Sequence, residues 1–353
     1  MKKNLIILFS TLFFLTLILE IFIRIFFSQD LQRYWVVNEK KFGLMVNKPN
    51  YIHKNHRFKS FKARYTFGEY GNRITIKTDL NNKRDKILIL GESFTFGWLL
   101  KDHDTFVHKL QQDNLNYKFI NVAVGAWGTS DYTLFTELYC KEIKPKKIFV
   151  FLNTDDFYRG YHRGFYKLNN NNLIKVKKKI NDISKDSFLD KNVPFYKLLK
   201  SNSHLFMLTR NLVYNLIYPP SYNPWSPEKY WPKPPLNMNK LDKKKVIDLN
   251  EKIFLKLKDE ALKCNSKLYI FFTNWALPNM MLDGNVNKEF LLNADVFFSN
   301  NNIYYYENSK LMEPLYENPM DYIIDIDFHP NSKGANLLYL SFKDEVKKIL
   351  NSY

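Results

Sequence analysis

Apolar residues occur in two kinds of run along the chain. The first is one long block, Leu5–Phe27, which is almost wholly apolar and long enough to cross a bilayer as a helix. The second kind is short and continuous, which is typical of strands buried in a parallel sheet. Such strands are predicted at Lys86–Leu90, Phe119–Val124, Lys147–Leu152, Lys267–Phe272 and Asn302–Tyr306. Helical patterns separate several of them, at Thr105–Asp113, Ser130–Lys141 and Lys243–Lys263. This alternation predicts an α/β fold in which helices cover both faces of a parallel sheet.

The same pattern divides the chain into three parts. Residues 1–30 are predicted to form an N-terminal membrane anchor. Residues 31–85 form a juxtamembrane segment with a β-hairpin, and residues 86–353 form the main domain.

Two regions depart from the strand and helix alternation. Residues 30–60 are expected to be irregular, and they precede a predicted β-hairpin of Ala63–Phe67 and Arg73–Lys77. Between about 160 and 240 the alternation stops, which indicates an insertion folded over the main domain. Its segment Tyr218–Pro235 is rich in Pro, Tyr and Trp. Such a segment either stacks on sugar rings or forms a rigid surface loop that packs on itself.

The N-terminal block has the features of a membrane anchor. Its only charged residues, Glu20 and Arg24, lie four positions apart near its distal end, where they can pair on one helical face. A cleavable signal peptide is the alternative, but the run is long and no small-x-small cleavage site follows it. We therefore expect a single-pass anchor with the globular part outside the cytoplasm, on the periplasmic side. Arg33, Lys40 and Lys41 reduce the charge asymmetry on which this orientation rests.

Charge and cysteine content limit the remaining classes of function. The formal charge of +18 would suit an anionic partner, but the lysines are spread along the chain and no nucleic-acid-reading motif accompanies them. We therefore expect no nucleic-acid partner. Cys140 and Cys264 are too few for a disulfide framework or a zinc site, and the sequence leaves open whether they pair. Without a His-Glu-x-x-His or paired Cys-x-x-Cys motif, neither a metal nor another cofactor is expected.

Ser93 lies in the first of four short blocks that carry candidate chemistry. The stretch Gly91-Glu92-Ser93 follows a predicted buried strand, at the sheet edge where open α/β folds place their chemistry. A helix that begins there would point backbone N–H groups at developing negative charge. The alternative is that Ser93 only caps this helix.

The next two blocks also follow predicted strands and offer donors to an oxyanion. Gly125 and Ala126 are small enough to let the main chain approach a ligand and present an N–H group. Asn153 could donate through its side-chain amide, whereas an ionised Asp155 or Asp156 could only accept. Ordinary strand-ending turns are the alternative interpretation of both blocks.

The last block contains His329, which follows Asp327 by two positions and precedes Pro330 and Asn331. A histidine that takes a proton from a serine needs a carboxylate to fix its tautomer and stabilise the imidazolium. Asp327 is the nearest candidate for this role, and Asp325 is the second. Together the four blocks supply a nucleophile, oxyanion donors and an acid–base pair.

From Lys86 to the C-terminus, apart from the insertion, the sequence resembles the SGNH (GDSL-type) hydrolase family. The matching stretches are Ile89 to Gly97 and Asp327 to Gly334, and the N-terminal anchor resembles that of membrane-tethered bacterial members. The resemblance implies a flavodoxin-like three-layer α/β/α fold and hydrolysis or transfer of acyl esters through a seryl intermediate. It implies that Ser93 is the nucleophile, that its own N–H lies in the oxyanion hole, and that His329 is the base oriented by Asp327.

The sequence departs from the family pattern at three positions. Glu92 replaces the usual Asp beside the serine. The family's glycine falls on Ala126, with Gly125 beside it, and a backbone donor is retained there if the φ of Ala126 is negative. Strict alignment places Asp155 where the family has asparagine, whereas a shift of two residues gives this role to Asn153.

The sequence therefore predicts a membrane-anchored serine esterase that acts on acyl or acetyl esters of a cell-surface glycan. An O-acyltransferase that uses the same acyl-serine intermediate is one alternative, because the exclusion of water depends on the shape of the pocket. A non-catalytic glycan-binding or assembly protein on this fold is the other, and it is favoured if Asp155 fills the asparagine position.

Overall fold

An N-terminal helix, α1 (Lys2–Phe26), precedes the globular part of the chain. The structure is a computed structural model that describes residues 2–29, 31, 35–58, 61–76, 84–153, 155–176, 189, 192–217, 240–273, 275, 286–324 and 329–352. Within these ranges, α1 is the one helix long and apolar enough to cross a membrane. Almost all its apolar side chains are exposed, so the globular part does not bury them. The predicted N-terminal helix is confirmed.

The centre of the fold is a parallel sheet of five strands, which are β5 (Asp85–Gly91), β6 (Tyr117–Asn121), β7 (Lys147–Leu152), β10 (Lys267–Phe272) and β11 (Tyr304–Glu307). Their order across the sheet is β11-β10-β7-β5-β6. In chain order the sheet reads 2-1-3-4-5, which is the flavodoxin-like order. The strand order reverses between β5 and β7, and open sheets bind ligands beyond the carboxyl ends of such a strand pair. The predicted flavodoxin-like parallel sheet is confirmed.

Helices cover both faces of this sheet and bury two separate cores. Among the described residues of the globular part, the helices are α2 (Ser93–Phe96), α3 (Phe106–Asp113), α4 (Thr129–Ile143), α5 (Asp156–Arg163), α6 (Tyr196–Asn202), α7 (His204–Ile217), α8 (Lys240–Leu262), α9 (Val286–Asn300), α10 (Glu313–Glu317) and α11 (Ser332–Asn351). Along β5, Leu88 and Leu90 face a core shared with α4, α8 and α9, whereas Ile87 and Ile89 face a core shared with α3 and α11. This alternation follows from the two-residue repeat of a strand, and it completes the three layers.

The region before β5 differs from the prediction. Residues 35–58 are not irregular, since they contain β1 (Val36–Asn38), β2 (Met45–Asn47) and β3 (Ile52–Phe58). The predicted hairpin of Ala63–Phe67 with Arg73–Lys77 is wrong, because β4 (Phe61–Thr66) pairs with β3. After the turn at Gly71, the chain pairs with the end of β4 only through a bridge between Phe67 and Arg73 and a bond of 2.8 Å from the N–H of Ile74 to the carbonyl of Thr66. The N–H of Arg73 also donates to the carbonyl of Asn121 in the main sheet at 2.8 Å.

The described part of the predicted insertion contains two strands and two helices. A small antiparallel hairpin, β8 (Tyr166–Asn169) with β9 (Asn172–Lys175), is followed by α6 and α7. The segment Tyr218–Pro235 lies outside the described residues. A disulfide joins Cys140 of α4 to Cys264, which follows α8, and this answers the question of pairing that the sequence left open.

Candidate active site

Ser93 lies at the carboxyl end of β5, at the point where the strand order of the sheet reverses. It is the first residue of α2 and is largely buried. Gly91 ends the strand, and a Cβ at this position would lie 2.2 Å from Oγ1 of Thr95. Only glycine therefore allows the short helix to turn this closely over the end of the strand.

The structure brings Ser93 and His329 together although they are far apart in the sequence. Ser93 Oγ lies 2.7 Å from His329 Nε2, across a sequence separation of 236 residues. The ring of His329 packs edge-on against that of Phe94, with ring centroids 5.1 Å apart. Its backbone carbonyl accepts the N–H of Ile324 at 2.7 Å. A nucleophile and a base within hydrogen-bond reach are the first requirement of acyl chemistry at a serine.

Asp327 and Asp325, the two candidates for orienting His329, lie outside the described residues. Three hydrogen bonds of Asn331 hold the segment that follows His329. Asn331 caps α11, and its side chain accepts the N–H of Gly334 at 2.9 Å. Asn331 also donates to the carbonyls of Asp321 and Ile323. The cap and these two bonds fix the start of α11 and thereby the place where His329 enters the site.

Glu92 makes a second contact with the serine hydroxyl. Its side chain is buried, and Oε2 accepts the hydroxyl of Ser93 while Oε1 accepts the N–H of Phe94 at 2.8 Å. Ser93 has one proton and two acceptors within reach. When this proton points at Glu92, His329 Nε2 can only be a donor to Oγ. Proton transfer to His329 therefore requires the hydroxyl to turn from Glu92 to an unprotonated Nε2.

The second block adjoins the serine through Gly125. A Cβ at Gly125 would lie 3.8 Å from Cβ of Ser93, and the N–H of Val124 donates to the carbonyl of Gly91 at 3.3 Å. The sequence predicted a backbone donor at Ala126 if its φ is negative, but this φ is +65°. The condition is therefore not met. A left-handed alanine costs about 1–2 kcal/mol. Arg163 stabilises the turn by donating from Nη2 to the carbonyl of Ala126 at 2.7 Å.

The third block places Asn153 and Asp155 in different surroundings. Gly91 of β5 is the register partner of Phe151 of β7. Asn153 follows Phe151 by two residues, as Ser93 follows Gly91 on the neighbouring strand. Asn153 is buried, and its N–H donates to Asp156 Oδ2 at 2.8 Å. Asp155 directly precedes α5 and pairs with Arg159 at 3.2 Å.

Behind these blocks, Arg159 of α5 lies among three carboxylates that the sequence reasoning did not connect. Its guanidinium is 3.2 Å from Asp155, 3.6 Å from Glu92 and 3.6 Å from Asp156. Asp156 is fully buried and accepts the hydroxyl of Tyr132 at 2.7 Å. The helical spacing of Arg159 to the two aspartates is a signal that could have identified part of this cluster.

Burial and like charges shift the pKa values in this cluster. Burial, and then the charge of Glu92, raise the pKa of Asp156 well above its usual range, and Arg159 opposes this shift. Burial also raises the pKa of Asp155, and Arg159 again opposes the shift. Burial and the nearby carboxylates raise the pKa of Tyr132 well above its usual value, so its hydroxyl stays a donor. Arg159 is therefore the main compensating charge in this wall of the site.

No protein-family model matches the chain, and no curated protein matches it in sequence. Many solved structures similar to it are esterases and lipolytic proteins of the GDSL family. TesA has a TM-score of 0.44 at 10% identity, over 75% of this chain and 99% of that one. The esterase EstA from Pseudoalteromonas sp. has a TM-score of 0.43 at 13% identity, over 76% of this chain and 100% of that one. A lipolytic G-D-S-L protein from Veillonella parvula has a TM-score of 0.40 at 12% identity, over 73% and 96%. These TM-scores are too low to support a functional assignment. The candidate site therefore rests on the sheet order and on the contact between the serine and the histidine.

Proposed function

We propose that this protein is a membrane-anchored serine esterase of the SGNH type. The observation that carries the proposal is the 2.7 Å contact between Ser93 Oγ and His329 Nε2 at the edge of the sheet where the strand order reverses. Open α/β sheets use this edge for ligands, and a serine beside an imidazole is the nucleophile and base pair of ester chemistry.

In the proposed reaction, Ser93 Oγ attacks the acyl carbonyl while His329 Nε2 takes the hydroxyl proton. His329 then gives this proton to the leaving alcohol, and water repeats the sequence to release the acid. The negative oxygen of the intermediate is bound by the N–H groups of Ser93 and Gly125 and by the amide of Asn153. Asn153 is favoured over Asp155 because it is in register with Ser93, whereas Asp155 pairs with Arg159.

The disulfide and α1 together support a location outside the cytoplasm. Disulfides persist in oxidising compartments and are rare in the cytosol of most cells, and Cys140 is joined to Cys264. Because α1 exposes apolar side chains along its length, it suits a bilayer better than water. We propose that α1 stays attached as an anchor with the globular part on the periplasmic side.

The first experiment measures release of nitrophenol from a short-chain nitrophenyl ester by the full chain in detergent. Ser93→Ala and His329→Ala are each expected to lower kcat by about 10⁴-fold or more, since a triad member is removed. Ser299→Ala changes an exposed serine of α9 and is the matched control, expected to retain full activity. Activity that survives Ser93→Ala would refute the assignment of the nucleophile.

The same assay distinguishes the two candidate side chains of the third block. Asn153→Ala should lower kcat by about 10²–10³-fold, as loss of one oxyanion donor does. Asp155→Ala should leave kcat within a small factor of wild type. The reverse result would give the role to Asp155.

The orienting carboxylate can be assigned in the same way. Asp327→Asn should lower kcat by about 10⁴-fold if this carboxylate fixes the tautomer of His329. Asp325→Asn is the matched control. A loss confined to Asp325→Asn would move the role to that residue.

A separate measurement distinguishes hydrolysis from transfer. An acyl donor is supplied with and without an oligosaccharide acceptor, and hydrolysis predicts consumption of the donor in water alone. Consumption that needs the acceptor would make the protein an O-acyltransferase. The glycan substrate remains a prediction, because the aromatic segment on which it rests lies outside the described residues.

A further inference from the structure

The insertion helices α6 and α7 expose an apolar surface that a soluble domain would bury. On α7, one face turns His204 and Met207 inward, where both are buried. The distal half of the helix turns apolar side chains to the outside, and Leu216 is 83% exposed. The exposed set on α7 is Leu212, Val213, Tyr214, Leu216 and Ile217. All of these except Tyr214 recur at helical spacing, so the four form one apolar stripe.

The neighbouring helix also exposes apolar side chains. Phe195, at the start of α6, is 74% exposed, and Leu198 and Leu199 of the same helix are exposed as well. Clusters of exposed apolar side chains mark interaction sites, because water disfavours them. The exposed side chains of the two helices therefore favour an apolar environment.

Polar contacts join the start of α7 directly to the far end of α1. Glu20 of α1 accepts the N–H groups of His204 and Leu205, at 3.0 Å and 2.8 Å, and the hydroxyl of Ser203 at 2.8 Å. Arg24 bonds Glu20 at 3.0 Å and donates to the carbonyl of Asn202 at 2.9 Å. Glu20 thus caps α7 from another helix.

A third contact lies just beyond α1. The N–H of Gln29 donates to Nδ1 of His204 at 2.8 Å, and Oε1 of Gln29 accepts the amide of Asn211 at 3.3 Å. The polar side of α7 therefore faces the end of α1, while its apolar stripe faces away from the protein. This is the reverse of the pattern expected for a helix on a soluble domain.

The position of Glu20 along α1 sets the level of this contact in a bilayer. Glu20 is 18 residues after Lys2, which corresponds to about 27 Å along a helix. The hydrocarbon core of a bilayer is about 30 Å thick. If Lys2 and Lys3 lie at one headgroup layer, Glu20 and the start of α7 lie close to the opposite headgroup layer.

We propose that α6 and α7 lie in the interface of the same bilayer that α1 crosses, with their exposed apolar side chains inserted among the lipids. The insertion then gives the globular part a second membrane contact and holds it against the surface. An amphipathic helix of this kind binds in the plane of the interface. The proposal rests on the proposed anchoring by α1, and the occupant of the apolar surface is lipid, not a second protein.

The test uses the full chain in vesicles of phosphatidylcholine and phosphatidylglycerol, with single cysteines labelled by a polarity-sensitive nitrobenzoxadiazole dye. The native cysteines are joined to each other and are not available for labelling. Leu216→Cys probes α7, and Phe195→Cys probes α6 if the first variant does not fold. Leu17→Cys reports on α1, and Leu340→Cys on the exposed face of α11 is the matched soluble control.

The expected result is a blue shift at Leu216→Cys in vesicles and loss of its emission with lipids brominated close to the headgroup. Leu17→Cys should be quenched best by lipids brominated near the methyl end, and Leu340→Cys by neither. Quenching at Leu17→Cys without quenching at Leu216→Cys would overturn the proposal and leave the anchor standing. No quenching at Leu17→Cys would refute the anchor itself. A blue shift at Leu216→Cys that bromolipids do not quench would mean that protein covers the surface, which also overturns the proposal.

Discussion

Arg159 offers the sharpest test of the electrostatics behind the site. Its guanidinium is within 3.6 Å of Glu92, Asp155 and Asp156, and two of these carboxylates are buried. The substitution Arg159→Met keeps the apolar part of the side chain and removes the charge. Removing one partner of a buried ion pair costs about 3–5 kcal/mol. Two of the contacts are longer than hydrogen bonds, so we expect a loss near the lower end, about 3 kcal/mol in the free energy of unfolding at neutral pH.

The loss of stability caused by Arg159→Met should depend on pH in a defined direction. The folded-state pKa of Asp156 is raised above its unfolded value, so this group stabilises the fold most below the unfolded pKa, and that contribution is lost as pH rises. Arg159 opposes this rise in pKa. Without Arg159 the pKa should rise further, because the charge of Glu92 is no longer offset. The cost of Arg159→Met should therefore be smallest near about pH 4, where the raised pKa of Asp156 keeps this group protonated, and grow toward neutrality.

The free energy of unfolding is measured by urea denaturation of the full chain in detergent, monitored by circular dichroism, at about pH 4 and at neutral pH. Arg64→Met is the matched control, because Arg64 is exposed, and it should change the free energy of unfolding by no more than about 0.5 kcal/mol. A loss from Arg159→Met that is equal at both pH values would refute the reasoning. So would a variant as stable as the wild type at neutral pH.

Three further substitutions test the packing around the site, each by the free energy of unfolding in urea. Tyr132→Phe removes the 2.7 Å bond to Asp156 and should cost about 1–3 kcal/mol; an unchanged stability would contradict that bond. Gly160→Ala places a Cβ 1.9 Å from Oγ1 of Thr129 and should cost about 1–3 kcal/mol, whereas the stabilisation usual for alanine in a helix would contradict the close approach. Phe342→Ala removes a buried ring that contacts four other aromatic rings and should cost about 3–5 kcal/mol; a loss under about 1 kcal/mol would argue against this core.

The sequence predicted the sheet well because its strands are continuous apolar runs. Lys147–Leu152 and Lys267–Phe272 have the predicted bounds. The strand predicted at Phe119–Val124 ends instead at Asn121. The hairpin before β5 was predicted with the wrong partner, because alternation along Ala63–Phe67 identifies a strand but not the strand beside it.

The candidate site was only partly predictable for a related reason. The residue types and their places after strands are local features, and they led to Ser93, Gly125 and Asn153. The positive φ of Ala126 left no trace in the sequence, because alanine is uncommon in that conformation. The contact of Glu92 with Arg159 joins residues on different elements, so no local spacing indicates it.

By itself, the sequence determined the strands of the central sheet and several of the helices between them, that one segment is apolar enough for a bilayer, and which side chains could react. These properties follow from the repeat of apolar residues over a few positions. Only the tertiary structure decided which strands are neighbours, that Ser93 and His329 meet, and that Glu20 caps a helix of the insertion. Those contacts join residues far apart in the chain, and they form only when whole elements pack against one another.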